Sequence, residues 1–235
     1  MKNNIVLITG ASGNLGSAVV SLFEKNGSHL VLVDHAKERL LKQFAFLENN
    51  DRHLIFEGVD GTDSESMKTV ISRIKEKFGR LDVLVNTVGG FRAGPPLHET
   101  DLDTYELMFN LNVKSVFITS KFAIPLMLEN KNGAIVHISS GAGLKGAANM
   151  AVYSAAKSAV IRFTESMAAE LKSSGVRVNC ILPGTIDTPQ NREAMPKADF
   201  SRWVSPASLA EAIYFLTSSA ARDVTGVALP VYGSS

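Results

Sequence analysis

The chain has 235 residues, 45% hydrophobic and 20% charged, with 24 basic residues against 23 acidic ones. That length suits one α/β domain, and a net charge of +1 lacks the broad electrostatic footprint that nucleic acid or an anionic membrane calls for. The single cysteine, Cys180, excludes an internal disulfide and a cysteine-based zinc cluster.

With no charged leader before the apolar run that starts at Asn4, a cytoplasmic protein is expected. Polar residues interrupt each apolar run before the roughly 18 residues of a membrane-spanning helix, so no membrane partner is expected either. Glycine weakens helix and strand interiors, and the 18 glycines here call for turns or close backbone approach.

The first apolar run, 5–8, reads as a buried strand. It leads into Thr9-Gly10-Ala11-Ser12-Gly13-Asn14-Leu15-Gly16 and a helical pattern over 17–25. A glycine loop between strand and helix exposes backbone N–H groups at a helix N-terminus. Its glycines provide a tight turn, close approach to a pyrophosphate and close helix packing. Gly10, Ser12, Gly13, Asn14, Leu15 and Gly16 are therefore candidate dinucleotide-binding residues. The second strand, 30–33, ends at Asp34, 18 residues after Gly16. A carboxylate there suits the adenosine ribose hydroxyls and repels a 2′-phosphate, which favours NAD(H) over NADP(H).

Further strands read at 54–57, 83–86, 134–138, 176–181 and 228–231, and further helices at 65–78, 105–129, 153–173 and 206–216. Residues 187–205 read as a polar irregular stretch. The alternation predicts a single domain, 1–235, with a Rossmann-type doubly wound parallel sheet in three layers. Ligands bind such a sheet beyond the carboxyl ends of its strands.

The fifth strand ends at Ser139-Ser140, Tyr153 follows thirteen residues after Ser140, and Lys157 lies one helical turn beyond it. Residues four apart share a helix face, so the phenol and the ammonium can act on one site. A phenol with an ordinary pKa near 10 is a sluggish base unless a cation favours its ionised form. The Ser, Tyr and Lys triple arises by chance about 0.02 times at this composition, so it is informative where Tyr-x-x-x-Lys alone is not.

At these residues the sequence resembles the short-chain dehydrogenase/reductase family along nearly its whole length. The landmarks occur in order: the glycine loop, Asp60, Asn86-Thr87-Val88-Gly89, Asn112, Ser140, Tyr153 with Lys157, and Pro183-Gly184-Thr185-Ile186-Asp187-Thr188. Two places depart from the usual pattern, with Gly13-Asn14 for Ser-Gly and Asn86-Thr87-Val88-Gly89 for Asn-Asn-Ala-Gly. The resemblance implies an NAD(P)-dependent oxidoreductase that moves hydride between nicotinamide and a carbonyl or alcohol. In it Tyr153 is the general acid or base, Lys157 assists it, Ser140 holds the substrate oxygen and Asn112 supports a proton relay. It further implies cofactor contacts at Asp60, Gly61, Asn86, Val88, Gly89, Pro183, Gly184, Ile186 and Thr188, together with Tyr153 and Lys157. No metal is called for.

A substrate loop is expected at about 189–203. With Asp187-Thr188-Pro189 before it, this segment is similar to the corresponding part of dihydropteridine reductases, which use NADH on quinonoid dihydropterins. Those enzymes characteristically lack the catalytic serine, which favours ordinary carbonyl chemistry and leaves a quinonoid acceptor as the alternative. A dinucleotide-binding sensor without turnover is the reading from another class, although such proteins tend to lose the Tyr or Lys. The resemblance also implies a homotetramer or homodimer, while the tail Val231-Tyr232-Gly233-Ser234-Ser235 departs from the frequent Asp-Gly-Gly ending. His137 and Cys180 read as core residues, His98 as a loop residue, and Met150 and Phe91 as neighbours of the site.

Overall fold

A computed structural model describes residues 1–47 and 50–234. Seven strands form one parallel sheet in the order β3-β2-β1-β4-β5-β6-β7. They are β1 Ile5–Thr9, β2 His29–Asp34, β3 Leu54–Glu57, β4 Val83–Asn86, β5 Gly133–Ile138, β6 Val176–Pro183 and β7 Ala228–Val231. Each lies within about two residues of its sequence expectation. A parallel strand covered on both faces is apolar at nearly every position, and β1 and β4 are buried from end to end with only their last residues, Thr9 and Asn86, polar.

Helices α1 Asn14–Lys25 and α8 Pro206–Thr217 cover one face. Leu15, Val19, Val20 and Phe23 meet Leu209, Ile213 and Leu216 there over Val6, Ile8 and Leu32. Helices α3 Ser64–Phe78, α5 Ser115–Glu129 and α6 Ala151–Glu170 lie on the other face. Met67, Val70 and Ile74 pack there with Leu126 and Met127 on Leu7, Val31 and Ile135. Each fully buried large apolar side chain stabilises the layers by about 1.5–3 kcal/mol.

Three local readings change. The helix expected at 105–129 starts earlier, as α4 Leu102–Phe109, and passes through a π-helical turn, Asn110–Lys114, before α5. Asp101 caps it, accepting the Thr104 N–H at 2.6 Å. Taken together, Leu102–Glu129 is long and apolar enough to cross a membrane by length and composition, with a mean hydropathy of 1.3. This corrects the expectation that no stretch approaches that length: between Leu107 and Leu128 the charged residues are Lys114 and Lys121 alone, and half of the apolar window is buried inside the fold.

A short helix, α2 Arg39–Gln43, follows β2. The stretch read as irregular contains α7 Pro189–Ala194, which begins with Pro at a position where no N–H is needed. Thr188 caps it by accepting the Asn191 N–H at 3.2 Å, and a two-point ion pair from Arg192 to Asp187, at 2.6 and 2.8 Å, ties down the adjacent loop.

The sheet order reverses between β1 and β4, because the chain runs outward through β2 and β3 before returning to the other side. The loops after β1 and β4 therefore part, leaving a crevice at the carboxyl ends of the strands.

Candidate active site

The loop after β1 is held in shape by its glycines. Gly10 has φ +66°, and a Cβ at Gly16 would stand 2.1 Å from the Gly10 carbonyl oxygen, so α1 can approach the loop only with glycine at 16. Gly13 is the N-cap of α1 and offers no side chain to its first N–H groups. A helix of twelve residues thus presents uncapped amides at the crevice, where a pyrophosphate would be held. The Asn14 amide points elsewhere, donating to Gln190 Oε1 at 2.9 Å and so linking the glycine loop to α7.

Asp34, buried at the end of β2, accepts the Ser12 N–H at 2.8 Å and the Ala36 N–H at 2.9 Å. The carboxylate braces the glycine loop and keeps further lone pairs on both oxygens for ribose hydroxyls. Asp60 accepts the Thr62 N–H at 2.8 Å, and a Cβ on Gly61 would meet nothing within 4 Å, so this turn after β3 stands open.

A cleft of about 640 Å³ lies beyond β1, β4, β5 and β6. Among the expected residues, Leu15, Val88, Gly89, Ser140, Tyr153, Lys157, Pro183, Gly184 and Ile186 line it. Ser140 caps the turn after β5, its Oγ accepting the Ala142 N–H at 3.2 Å, and it lines the cleft together with Tyr153. Lys157 lies on the next turn of α6, its Nζ 5.8 Å from the Tyr153 ring centre. The ammonium donates to the Ile138 carbonyl at 3.0 Å, and Ser139 Oγ donates to the Lys157 carbonyl at 2.7 Å, which fixes α6 to the end of β5.

Gly143 lets the intervening turn sit on α6, since a Cβ there would be 2.8 Å from the Lys157 carbonyl carbon. The Phe91 ring meets Tyr153 edge-on, with centres 4.9 Å apart at 88°.

Burial sets the protonation of this pair. It raises the Tyr153 phenol above its ordinary value, with the Ser140 side chain acting in the opposite sense, and it brings Lys157 down to about 8. A raised phenol is protonated at neutral pH, as an acid for carbonyl reduction must be.

Other expected residues stand behind the cleft. Asn112 is buried in the π-helical turn, where its amide donates to the Met108 carbonyl at 2.9 Å and the Gly90 carbonyl at 3.0 Å and accepts the Gly90 N–H at 3.2 Å. It thereby positions residues 88–91. A Cβ on Gly89 would stand 3.0 Å from Asn112 Oδ1 and 3.3 Å from Lys157 Nζ, so glycine keeps that corner open.

Asn86 is also buried, its side chain bonded to Thr9 and His137 beneath the cleft rather than lining it. His137 is fully buried and held at about 3 by desolvation, which makes it a neutral core residue rather than an acid or base. Burial likewise pushes the Cys180 thiol up to about 11, away from reactivity. Among the described residues, no group of three or more His, Cys, Asp or Glu could hold a metal ion.

Tyr232, Met195 and Gly90 line the cleft although the motif pattern does not mark them. The signal for Tyr232 is its place directly after β7, whose neighbour β6 ends at the site.

The pattern of the short chain dehydrogenases matches residues 4–199. The chain belongs to the short-chain dehydrogenase family. It is similar to a 3-oxoacyl-[acyl-carrier-protein] reductase from Thermotoga maritima, with 31% identity over 99% of this chain and 98% of the relative. The solved structure of ElxO with NADP bound is similar at 31% identity and a TM-score of 0.89, over 99% of this chain and 98% of that one. The crystal structure of carveol dehydrogenase from Mycobacterium avium in complex with NAD matches with a TM-score of 0.89 and 28% identity, over 100% of this chain and 98% of that one. As a short-chain dehydrogenase the chain is an oxidoreductase of the alcohol and carbonyl class, and a nicotinamide dinucleotide is its cofactor. The uncapped α1 terminus, the Gly16 contact and the open corner at Gly89 fit such a group.

Proposed function

We propose that this short-chain dehydrogenase interconverts a small carbonyl compound and its alcohol, with Tyr153 as the general acid or base. The observation that carries the reading is that Ser140, Tyr153 and Lys157 line one cleft, with Lys157 on the turn of α6 next to Tyr153. The dinucleotide, when bound, supplies or takes up the hydride. Gly10, Ser12, Gly13, Asn14, Leu15 and Gly16 hold its pyrophosphate, and Asp34, Asp60 and Gly61 hold the adenosine. The backbone after β4 and β6, at Asn86, Val88, Gly89, Pro183, Gly184, Ile186 and Thr188, forms its nicotinamide end.

Ser140 orients the substrate oxygen toward the Tyr153 hydroxyl, which gives up its proton during reduction and recovers it during oxidation. Lys157 replenishes that proton from within the cleft. Asn112, with its side chain engaged at Gly90 and Met108, acts as a positioning residue for the same relay.

The Asp34 carboxylate favours NAD(H), since a 2′-phosphate would sit against a buried negative charge. Residues 189–203 form the substrate loop of a single domain. The working form is a cytoplasmic homotetramer or homodimer, consistent with the exposed Leu102, Tyr105 and Phe117 on α4 and α5.

Loss of NADH absorbance with a panel of ketones, quinones and a quinonoid dihydropterin tests the proposal. Ketone reduction supports it, and preferential turnover of the dihydropterin would move the activity to quinonoid acceptors. Tight NADH binding without turnover of any acceptor would make the protein a sensor.

A further inference from the structure

We infer that the substrate is an uncharged ketone or secondary alcohol with a compact, ring-sized apolar body, and that Phe91, Met195 and Tyr232 select it. The inference rests on the carbonyl chemistry proposed above and concerns the space in front of Ser140 and Tyr153. That space is faced by Phe91, Met150, Met195 and Tyr232. Phe91 and Met195 are 61% and 41% exposed, two large apolar side chains kept in contact with solvent at the cleft. An apolar ligand that covers them gains the burial they lack.

Charge recognition is missing from the same wall. Among the described residues lining the cleft, Lys157 is the single Lys, Arg, Asp, Glu or His, and it is buried and bonded to the Ile138 carbonyl at 3.0 Å. Arg192, the nearest cation by chain on α7, is neutralised by Asp187 through contacts of 2.6 and 2.8 Å and lies 4.7 Å from the Phe200 ring centre. A substrate carboxylate or phosphate drawn into this cleft would lose water without gaining a partner. The amino-pyrimidinone edge of a pterin would likewise find no carboxylate.

Tyr232 adds an uncharged aromatic wall instead. A Cβ on Gly141, next to Ser140, would stand 3.2 Å from its hydroxyl, so the ring lies over the turn that carries the serine. The tail is held there on both sides. The Gly184 N–H donates to the Val231 carbonyl and the Ser234 N–H to the Arg202 carbonyl, each at 3.1 Å. Gly233 turns the chain at φ +71°, where a Cβ would stand 2.8 Å from the Arg202 oxygen. The departure from the usual ending thus delivers an aromatic ring to the substrate side of the cleft.

The test compares cyclohexanone, the same ring bearing a carboxylate, and an open-chain 2-oxo acid, each with NADH. The kcat/KM for the uncharged ring should exceed that for each acid by about tenfold or more. Met195→Lys should narrow this gap by about tenfold, and Phe91→Ala should weaken cyclohexanone more than acetone. Quenching of bound NADH fluorescence by cyclohexanone in Tyr153→Phe gives a readout without turnover, and saturable quenching is expected. An acid preferred by the wild type, or a Met195→Lys variant with an unchanged ratio, overturns the inference and leaves the carbonyl chemistry standing. No turnover of any ketone overturns both.

Discussion

Replacing Gly16 by alanine probes the cofactor loop where its geometry is least forgiving. The added Cβ would lie 2.1 Å from the Gly10 carbonyl oxygen, 2.9 Å from the Gly10 carbonyl carbon and 3.0 Å from Ala11 Cα. All three are backbone atoms, so the loop must move by roughly 1 Å to reach ordinary contact, an overpacking cost of about 1–3 kcal/mol. For a chain of this size that lowers Tm by roughly 2–10 °C. The same displacement misaligns the amides of the pyrophosphate cradle and should weaken NADH binding by about tenfold or more.

Gly175→Ala is the control. Its Cβ would stand 2.2 Å from the Lys131 oxygen at φ +81°, a comparable strain, but Gly175 precedes β6 at the opposite end of the sheet from the cleft. It should lower Tm and leave the NADH Kd alone. Gly61→Ala, with nothing within 4 Å of its Cβ, should leave Tm unchanged. Thermal melts and NADH fluorescence titration read all three. Wild-type binding in a folded Gly16→Ala protein would refute the assignment of this loop.

The remaining predictions concern charge. Asp34→Asn offers one amide oxygen where two N–H donors now find acceptors, so both dinucleotides should bind less well. The NADPH to NADH ratio of kcat/KM should nonetheless rise by about tenfold, and a wild type that prefers NADPH would remove this role from Asp34. His53 is held at about 4, chiefly by burial. The unfolded chain takes up that proton near 6.5, so stability is complete above about pH 6.5 and falls as the pH drops toward 4. The loss is of order 1–3 kcal/mol, and His53→Gln should flatten the slope in denaturant melts, whereas an unchanged slope would contradict it. Because burial raises the Tyr153 phenol, alcohol oxidation should accelerate steadily from pH 7 to pH 9, and a flat profile with chemistry rate-limiting would count against Tyr153 as the base.

The central strands were legible because they are covered on both faces and therefore apolar almost throughout, as in β1 and β4. The break between α4 and α5 was not, since periodicity sees one apolar helix there. The π-helical turn is accompanied by tertiary bonds from Asn112 to Gly90, which no local pattern announces. Helix α7 escaped for a related reason: its middle four residues, Gln190 to Glu193, are polar, and its entry is set by the Thr188 cap and the Arg192 to Asp187 pair.

At the site, Ser140, Tyr153 and Lys157 could be read from spacing because a strand end and one helix face carry all three. Tyr232 could not, because its approach to Gly141 follows from the pairing of β7 with β6 and from the turn at Gly233.

Tyr153→Phe bears most directly on the proposed chemistry. The variant keeps the ring that packs edge-on against Phe91 and removes only the hydroxyl. Measured on one preparation, NADH should bind with a Kd close to that of the wild type while carbonyl reduction falls by at least about 100-fold. Wild-type turnover in that variant would contradict the account.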